Sequence, residues 1–425
     1  MARVRGLINE DSPLHIVIGR VGVVAIGVIS APIIARTIGP IGRGETATVA
    51  AITYLLPVLC GFGMPLEVRR RSAIGEAGPY VRGVRLTAIL LTPVAVAVAL
   101  VLDFLVFVQF SSGARLAAVC AVCLAPLTTI WMAEANALVG EGRTRAFLLL
   151  QVSQPASYLM GILIAISVGV ASTGFVILSG MVATVVTFVL SLTCSRTTLR
   201  GQRSALSSVL RPAWPFAGSA IAEASSNRLD QVLILPLAGA YQAGIYSVAV
   251  TVATAPMAFA QALGSRYFND AATASAEQRP QTEIDALRRS FALFPGLCLA
   301  LGIATPIAVP LVFGREFQDA TTVVWVALAA GSLSMVAYVG SLLLAARSAG
   351  WRMTGAQVAA LMGSTALLVL LAPGEGAIGA ACATVVGSII LVTLVLRFLQ
   401  LPVWLVAPRL KDVRASIFDL ASFGK

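Results

Sequence analysis

Leu90-Leu91-Thr92-Pro93-Val94-Ala95-Val96-Ala97-Val98-Ala99-Leu100-Val101-Leu102-Asp103-Phe104-Leu105-Val106-Phe107-Val108 carries one charged side chain in nineteen residues. A helix rising about 1.5 Å per residue needs about twenty apolar residues to cross the hydrocarbon of a bilayer, so this run has the length of one crossing. A strand of a membrane barrel would alternate apolar and polar residues over about ten positions, because one face looks into a wet lumen. Here both parities are apolar, and a lone helix satisfies its own backbone in lipid. The run therefore reads as a membrane-spanning helix.

Comparable runs recur along most of the 425 residues, of which 58% are hydrophobic and 12% charged, with a mean hydropathy of +0.90. These values lie outside the range of a soluble domain of this size. Spans are expected at about 14–37, 46–66, 84–110, 116–139, 146–168, 171–194, 213–237, 243–266, 289–312, 321–345, 352–372 and 376–398. The sequence predicts an all-α polytopic membrane protein of about twelve transmembrane helices, without an extramembrane domain.

The formal charge of +11 is unevenly placed. If the amino terminus is cytoplasmic, the segments on that side hold most of the arginines, among them Arg69, Arg70, Arg71, Arg82, Arg85, Arg196, Arg200, Arg203 and Arg211. The opposite loops hold Arg36, Arg43, Arg115 and Arg315. This bias meets the positive-inside rule and predicts a multi-pass protein with both termini in the cytoplasm. Basic loops so placed face anionic membrane lipid, and no nucleic acid is expected.

Six cysteines lie in or beside the apolar runs, where their default role is small-residue packing. Cys120 and Cys123 have CxxC spacing but no second pair, so no metal site is expected. His15 falls at the first membrane crossing, a position for headgroup contact. The first apolar run lacks a small-residue cleavage pattern, and no cleavable signal peptide is expected.

A polar, basic segment from Ser195 to Arg211 divides the spans into an amino-terminal six-helix bundle over 1–200 and a second over 201–400, followed by an interfacial and cytoplasmic tail over 401–425. Gly39-Pro40-Ile41-Gly42-Arg43-Gly44 in the first half is echoed by Gly239-Ala240-Tyr241-Gln242-Ala243-Gly244 in the second, and Pro57 by Pro256. Two halves with the same starting side are expected to be pseudo-symmetric about the membrane normal, with a cavity between them. Prolines inside apolar runs, such as Pro32, Pro93, Pro126 and Pro306, mark bends available for gating or packing.

The segment Ala31-Pro32-Ile33-Ile34-Ala35-Arg36-Thr37-Ile38-Gly39-Pro40, continuing through Gly42-Arg43-Gly44, resembles the first-loop signature of Wzx-like oligosaccharide flippases. Asn227-Arg228-Leu229-Asp230-Gln231, Ala243-Gly244-Ile245-Tyr246-Ser247-Val248-Ala249 and Leu311-Val312-Phe313-Gly314-Arg315-Glu316-Phe317 are similar to later landmarks of that family. The resemblance implies the multidrug/oligosaccharidyl-lipid/polysaccharide exporter superfamily, two bundles and alternating access. It further implies a polyprenyl-diphosphate-linked oligosaccharide as cargo and, as partners, the glycosyltransferases or polymerase of a polysaccharide pathway in a bacterial cytoplasmic membrane. Fourteen spans are common in the family, against twelve here, which keeps a multidrug exporter in contention.

Charge inside hydrocarbon is expensive and marks a functional hypothesis. Glu223, Asn227 and Gln231 follow one another at intervals of four, with Asp230 three beyond Asn227, so they share one broad helical face. Arg228 flanks it, and Arg20 lies in the first span. A lipid diphosphate needs cationic donors, which nominates Arg20 and Arg228, and its sugars need hydrogen-bonding groups, which nominates Asn227, Gln231, Gln151, Gln154 and Gln261. Glu223 and Asp230 are assigned to proton or sodium coupling, or to an internal ion pair with Arg228 or Arg20 that never meets cargo. Arg69, Arg70, Arg71 and Glu134 are placed at the cytoplasmic mouth, where Glu134 is expected to be solvated.

The absence of a G-x-x-x-x-G-K-[ST] sequence argues against ATP hydrolysis by this chain, and no cofactor is expected. Three functions stay open on the residues: a lipid-linked glycan flippase, a cation-coupled small-molecule exporter, and a membrane scaffold for polysaccharide synthesis. Glycosyl transfer is disfavoured because the chain has no soluble nucleotide-sugar domain. The expected protein is a transporter that makes and breaks no covalent bond in its substrate.

Overall fold

A computed structural model of the protein describes residues 14–275, 277–347 and 349–408, with the side chains of 14–21, 24, 215 and 219 outside the description. In it the stretch Leu90–Val108 forms most of one long crossing with a proline at its joint. Helix α3 (Gly78–Leu90) ends one residue before α4 (Thr92–Leu105), and the Leu91 N–H continues the ladder by donating to Thr87 and Ala88. Pro93 falls in the first turn of α4, where a missing N–H would be unpaired in any helix. The following residues tighten into a short 3-10 turn over Phe107–Gln109.

Before this crossing come α1 (Leu14–Gly61) and α2 (Met64–Ala73); after it come α5 (Ser112–Cys123), α6 (Ala125–Gly140), α7 (Thr144–Ser167) and α8 (Thr173–Cys194). The chain continues through α9 (Leu206–Thr254), α10 (Met257–Thr273), α11 (Arg279–Phe313), α12 (Ala320–Ala346), α13 (Gly350–Leu399) and the single turn α14 (Val403–Val406). No strand occurs among the described residues. Among the described residues eight helices are long and apolar enough to cross a membrane, and a ninth crossing is made if α5 and α6, bent by 46° at Leu124, count as one. The chain is an all-α, multi-pass membrane protein.

Three of these helices are too long to be single crossings. At 1.5 Å per residue the 48 residues of α1 would reach about 70 Å, more than twice the hydrocarbon thickness. Each is interrupted by one glycine in a conformation that side chains avoid: Gly39 (φ 66°, ψ −175°), Gly239 (φ 87°, ψ 167°) and Gly376 (φ 58°, ψ −132°). Gly39 and Gly239 are the leading glycines of the two echoed segments and have nearly the same dihedrals. The sequence echo is therefore also an echo of backbone shape. At Gly376 the helix restarts at Ala377, whose N–H donates to Gln242 Oε1 at 3.0 Å, so a side chain caps a donor that the break leaves open. The paired prolines behave differently: Pro57 lies within α1, whereas Pro256 caps the start of α10.

A Cβ on Gly239 would meet no atom within 4 Å. Gly239→Ala is therefore a test of conformation alone, and should lower stability by roughly 1–3 kcal/mol, read as a fall in thermal midpoint of the purified protein. An unchanged midpoint would show that the break is not held by this dihedral.

The chain divides into two compact units, 1–241 and 242–425. In the first, α7 packs along α8 and α2 along α6. A Cβ on Gly140 would lie 2.4 Å from the Arg69 carbonyl, so α6 and α2 approach as closely as their backbones permit. In the second, α12 packs along α11 and α13, and Gly340 admits Val395. The α14 turn is tied to α11 by Arg288 Nε donating to the Leu405 carbonyl at 2.6 Å, with Trp404 exposed. Arg409, Lys411 and Arg414 of the tail lie outside the described residues.

Candidate functional site

The part of α9 before Gly239 belongs to the first unit, and its polar face meets α1. The buried hydroxyl of Thr48 on α1 donates to the Gln231 carbonyl at 3.3 Å, which fixes the register of the two helices. One and a half turns along α1 from Thr48, Tyr54 lies under Arg228, whose guanidinium carbon is 5.5 Å from the ring centroid. A planar cation over an aromatic face is attracted by the ring quadrupole, and more so where water is scarce. The same guanidinium donates through one terminal nitrogen to Gln231 Oε1 at 3.2 Å.

Arg43, a few residues past the Gly39 break, lies within electrostatic reach of both Arg228 and Tyr158 of α7. Two like charges thus lie within electrostatic reach of one another, with Arg228 over the Tyr54 ring. Arg228 makes no ion pair among the described residues; its partners are the Tyr54 ring and the Gln231 amide. Glu223 also acts on the Tyr54 hydroxyl and is exposed, likewise without an ion pair among the described residues. Neither residue is thus consumed by the internal salt bridge left open by the sequence.

The face expected to be continuous is uneven. Glu223 and Asn227 are exposed, Arg228 and Asp230 half-buried, and Gln231 buried. Asp230 Oδ1 accepts from the Gln231 backbone N–H at 2.8 Å, a local bond that competes with the helix ladder. Gln151 and Gln154 are half-buried on α7, and no side-chain hydrogen bond joins them to the arginine group among the described residues. Gln261 lies on α10 in the second unit. Arg20 lies in α1, but its side chain is outside the described residues.

The expected mouth is differently built. Glu67 on α2 takes Arg70 at 2.6–2.7 Å and Arg71 at 2.8 Å, and Arg71 stacks over Tyr80 at 4.5 Å. Arg70 and then Arg71 hold the Glu67 carboxyl below its usual range, against the opposing effect of burial. Of the three consecutive arginines, Arg69 alone has no carboxylate partner among the described residues.

Glu134 corrects an expectation. It is 1% exposed rather than solvated, and its Oε1 accepts from Arg85 Nε at 2.6 Å. The sequence reading placed it near a helix end, where water is the default partner, and could not see Arg85 arriving from another helix. Arg85 also reaches Ser195 Oγ, the Thr197 carbonyl and the Thr198 carbonyl at 3.1–3.3 Å, and so anchors the connection between α8 and α9. In the second unit the buried Glu283 is held in the same manner by Arg347, Nε to Oε1 at 2.7 Å.

Tyr54 and Tyr158 are not singled out by the sequence, which reads Arg43 as a positive charge on the side expected to be poor in them and as a neutralising partner for Glu45; the Glu45 carboxylate accepts from the Ser111 backbone N–H at 3.0 Å. The available signal was a tyrosine standing mid-run in an apolar helix.

The family profile described as "Polysaccharide biosynthesis protein" matches residues 14–266, more than half of the chain. No curated protein sequence matches it. Among solved structures, the lipid II flippase MurJ in an inward closed conformation superposes with a TM-score of 0.75 at 11% identity, covering 96% of this chain and 91% of its own. An inward-facing multidrug resistance MATE family transporter of the MOP superfamily gives 0.73 at 12% identity, covering 89% of this chain and 94% of its own. An outward-facing MATE family transporter gives 0.58 at 13% identity, with 91% and 93% covered. At such identities the likeness is one of fold.

Proposed function

The chain belongs to the polysaccharide biosynthesis protein family, and from that premise we propose that it is an alternating-access flippase for a polyprenyl-diphosphate-linked oligosaccharide or a related polysaccharide precursor. The observation that carries this reading is Arg228, which lies over the Tyr54 ring. Arg228 makes no ion pair among the described residues, and the like charge of Arg43 lies within electrostatic reach of it. An anion held at Arg228 offsets the like charge of Arg43 and accepts charge-assisted hydrogen bonds from the Arg228 guanidinium. A diphosphate has the charge and the acceptor oxygens to do so.

In this reading Arg228, Arg43 and Arg20 hold the diphosphate, while Asn227, Gln231, Gln151, Gln154 and Gln261 offer donors and acceptors to sugars. The three glycine breaks are read as chain reversals, which raises the crossings from nine to twelve and gives six to each half of a pseudo-symmetric pair. The halves take 1–200 and 201–400, with 401–425 as an interfacial tail, and rock about the cargo. Both termini are assigned to the cytoplasm by the distribution of arginine. The enzymes that build or polymerise the glycan are the expected partners, and the chain itself does no covalent chemistry.

Glu223 supports a second reading. An exposed acid outside any ion pair among the described residues suits proton or sodium coupling in a small-molecule exporter. The protein reconstituted in vesicles and offered a lipid-linked glycan and a cationic dye in parallel separates the two. Glycan protected from an external glycosidase, without gradient-driven movement of dye, is the expected result. Dye movement alone would overturn the flippase assignment.

A further inference from the structure

At the end of the first unit where Arg85 anchors the connection, a cavity of about 260 Å³ opens beside that anchor. Its walls divide by chemistry. Arg82 and Arg203 stand at the connection, whereas Leu86 and Ile89 of α3 and Phe188 and Leu192 of α8 line the part that runs along the helices. Arg82 is committed, donating to the Gln202 carbonyl at 2.7 Å and to Thr198 Oγ1 at 3.3 Å. Arg203 is exposed and has no hydrogen bond or ion pair among the described residues. An unspent guanidinium at the head of an apolar slot fits an amphiphile with an anionic head.

The apolar part of the slot opens on an exposed face of the crossing helix. Leu86 is 36% and Ile89 56% exposed, one turn apart on a crossing helix, and the exposed row continues toward Leu90, Val94 and Leu100. A soluble anion would gain nothing from such walls, while a phospholipid lays its first methylenes along them with its phosphate at the arginines. At about 260 Å³ the space is below the roughly 300–1,000 Å³ of sites that enclose a drug-sized ligand, so it suits one phosphate and the start of a chain rather than a glycan.

We propose that this cavity is a binding site for a membrane phospholipid with an anionic headgroup, held by Arg203 with Arg82 and separate from the Arg228 site. Such a lipid would tie α3, α8 and the connection together, independently of what the protein transports.

The test uses the full-length protein purified in detergent, stripped of lipid and titrated with phosphatidylglycerol, phosphatidylcholine or inorganic phosphate, with bound lipid read by native mass spectrometry. Phosphatidylglycerol should bind and raise the thermal midpoint, phosphatidylcholine should bind about tenfold more weakly, and inorganic phosphate up to millimolar levels should not displace it. Arg203→Gln should weaken phosphatidylglycerol about tenfold, while Arg196→Gln, an exposed arginine of the same connection outside the cavity, should not. Arg203 is exposed, so its variant is expected to fold, and an unchanged elution profile and lipid-free midpoint verify it. Leu192→Asn, in the slot wall, supplies a second variant with the same expected loss. Equal binding of the two lipids, equal loss in the Arg196 variant, displacement by phosphate, or full binding in both cavity variants would each overturn the site.

Discussion

Arg228→Ala is expected to lower the initial rate of lipid-linked glycan movement by roughly 10- to 100-fold at equal folded abundance in vesicles. The magnitude follows from losing one or two charge-assisted hydrogen bonds to phosphate, about 1.5–3 kcal/mol, where each 1.4 kcal/mol is tenfold. Arg228→Lys should recover only part of it. An ammonium keeps the charge but lacks the planar face that lies on Tyr54 and the fork that reaches Gln231 while leaving donors for a ligand. Tyr54→Phe should be nearly silent, because the ring and not the hydroxyl supports the guanidinium; Tyr54→Ala should fall between the two. Ordinary flux in Arg228→Ala and in the Arg43→Ala/Arg228→Ala double variant would remove the diphosphate from this site.

The parts of this site differ in how far the sequence could reveal them. Glu223, Asn227 and Gln231 share a face by helical period alone, and Arg228 was legible as a charge beside it. Tyr54 is more than 170 positions away from Arg228 in the chain, and periodicity says which way a helix faces but not which helix it meets. Arg43 was visible as an anomaly of charge placement, since it falls on the side predicted to be poor in basic residues. Its nearness to Arg228 and Tyr158, both distant in the sequence, was beyond the reach of periodicity.

The fold was legible to a similar depth. Leu90–Val108 and its counterparts declare membrane helices because a bilayer imposes one length and one composition. The echo of Gly39 by Gly239 was readable, and their matching dihedrals give it a physical basis. Gly376 was not singled out, because in Pro373-Gly374-Glu375-Gly376 three residues are candidates for a break and only Gln242, distant in the sequence, selects one by capping Ala377. Buried ion pairs were the least legible feature. Arg85 counted as one more cytoplasmic arginine and Glu134 as a solvated acid, since charge statistics treat each residue singly while burial is decided by the pair.

That pair carries the largest expected effect on stability. Glu134→Ala should destabilise the protein by about 3–5 kcal/mol, because it leaves Arg85, only 8% exposed, without its counter-charge. The loss should spread to the 195–198 connection, whose Ser195, Thr197 and Thr198 acceptors depend on where Arg85 is held. Glu134→Gln keeps an acceptor for Arg85 Nε and should cost less than alanine. Glu134→Leu combined with Arg85→Met removes both charges and fills the space with apolar atoms, so it should recover most of the loss, as replacement of buried pairs by apolar residues often does. Thermal midpoints of Glu134→Leu, of Arg85→Met and of the double variant supply the cycle. Additive losses, with no recovery in the double variant, would mean that each residue acts through other contacts and that the pair does not hold this end of the bundle.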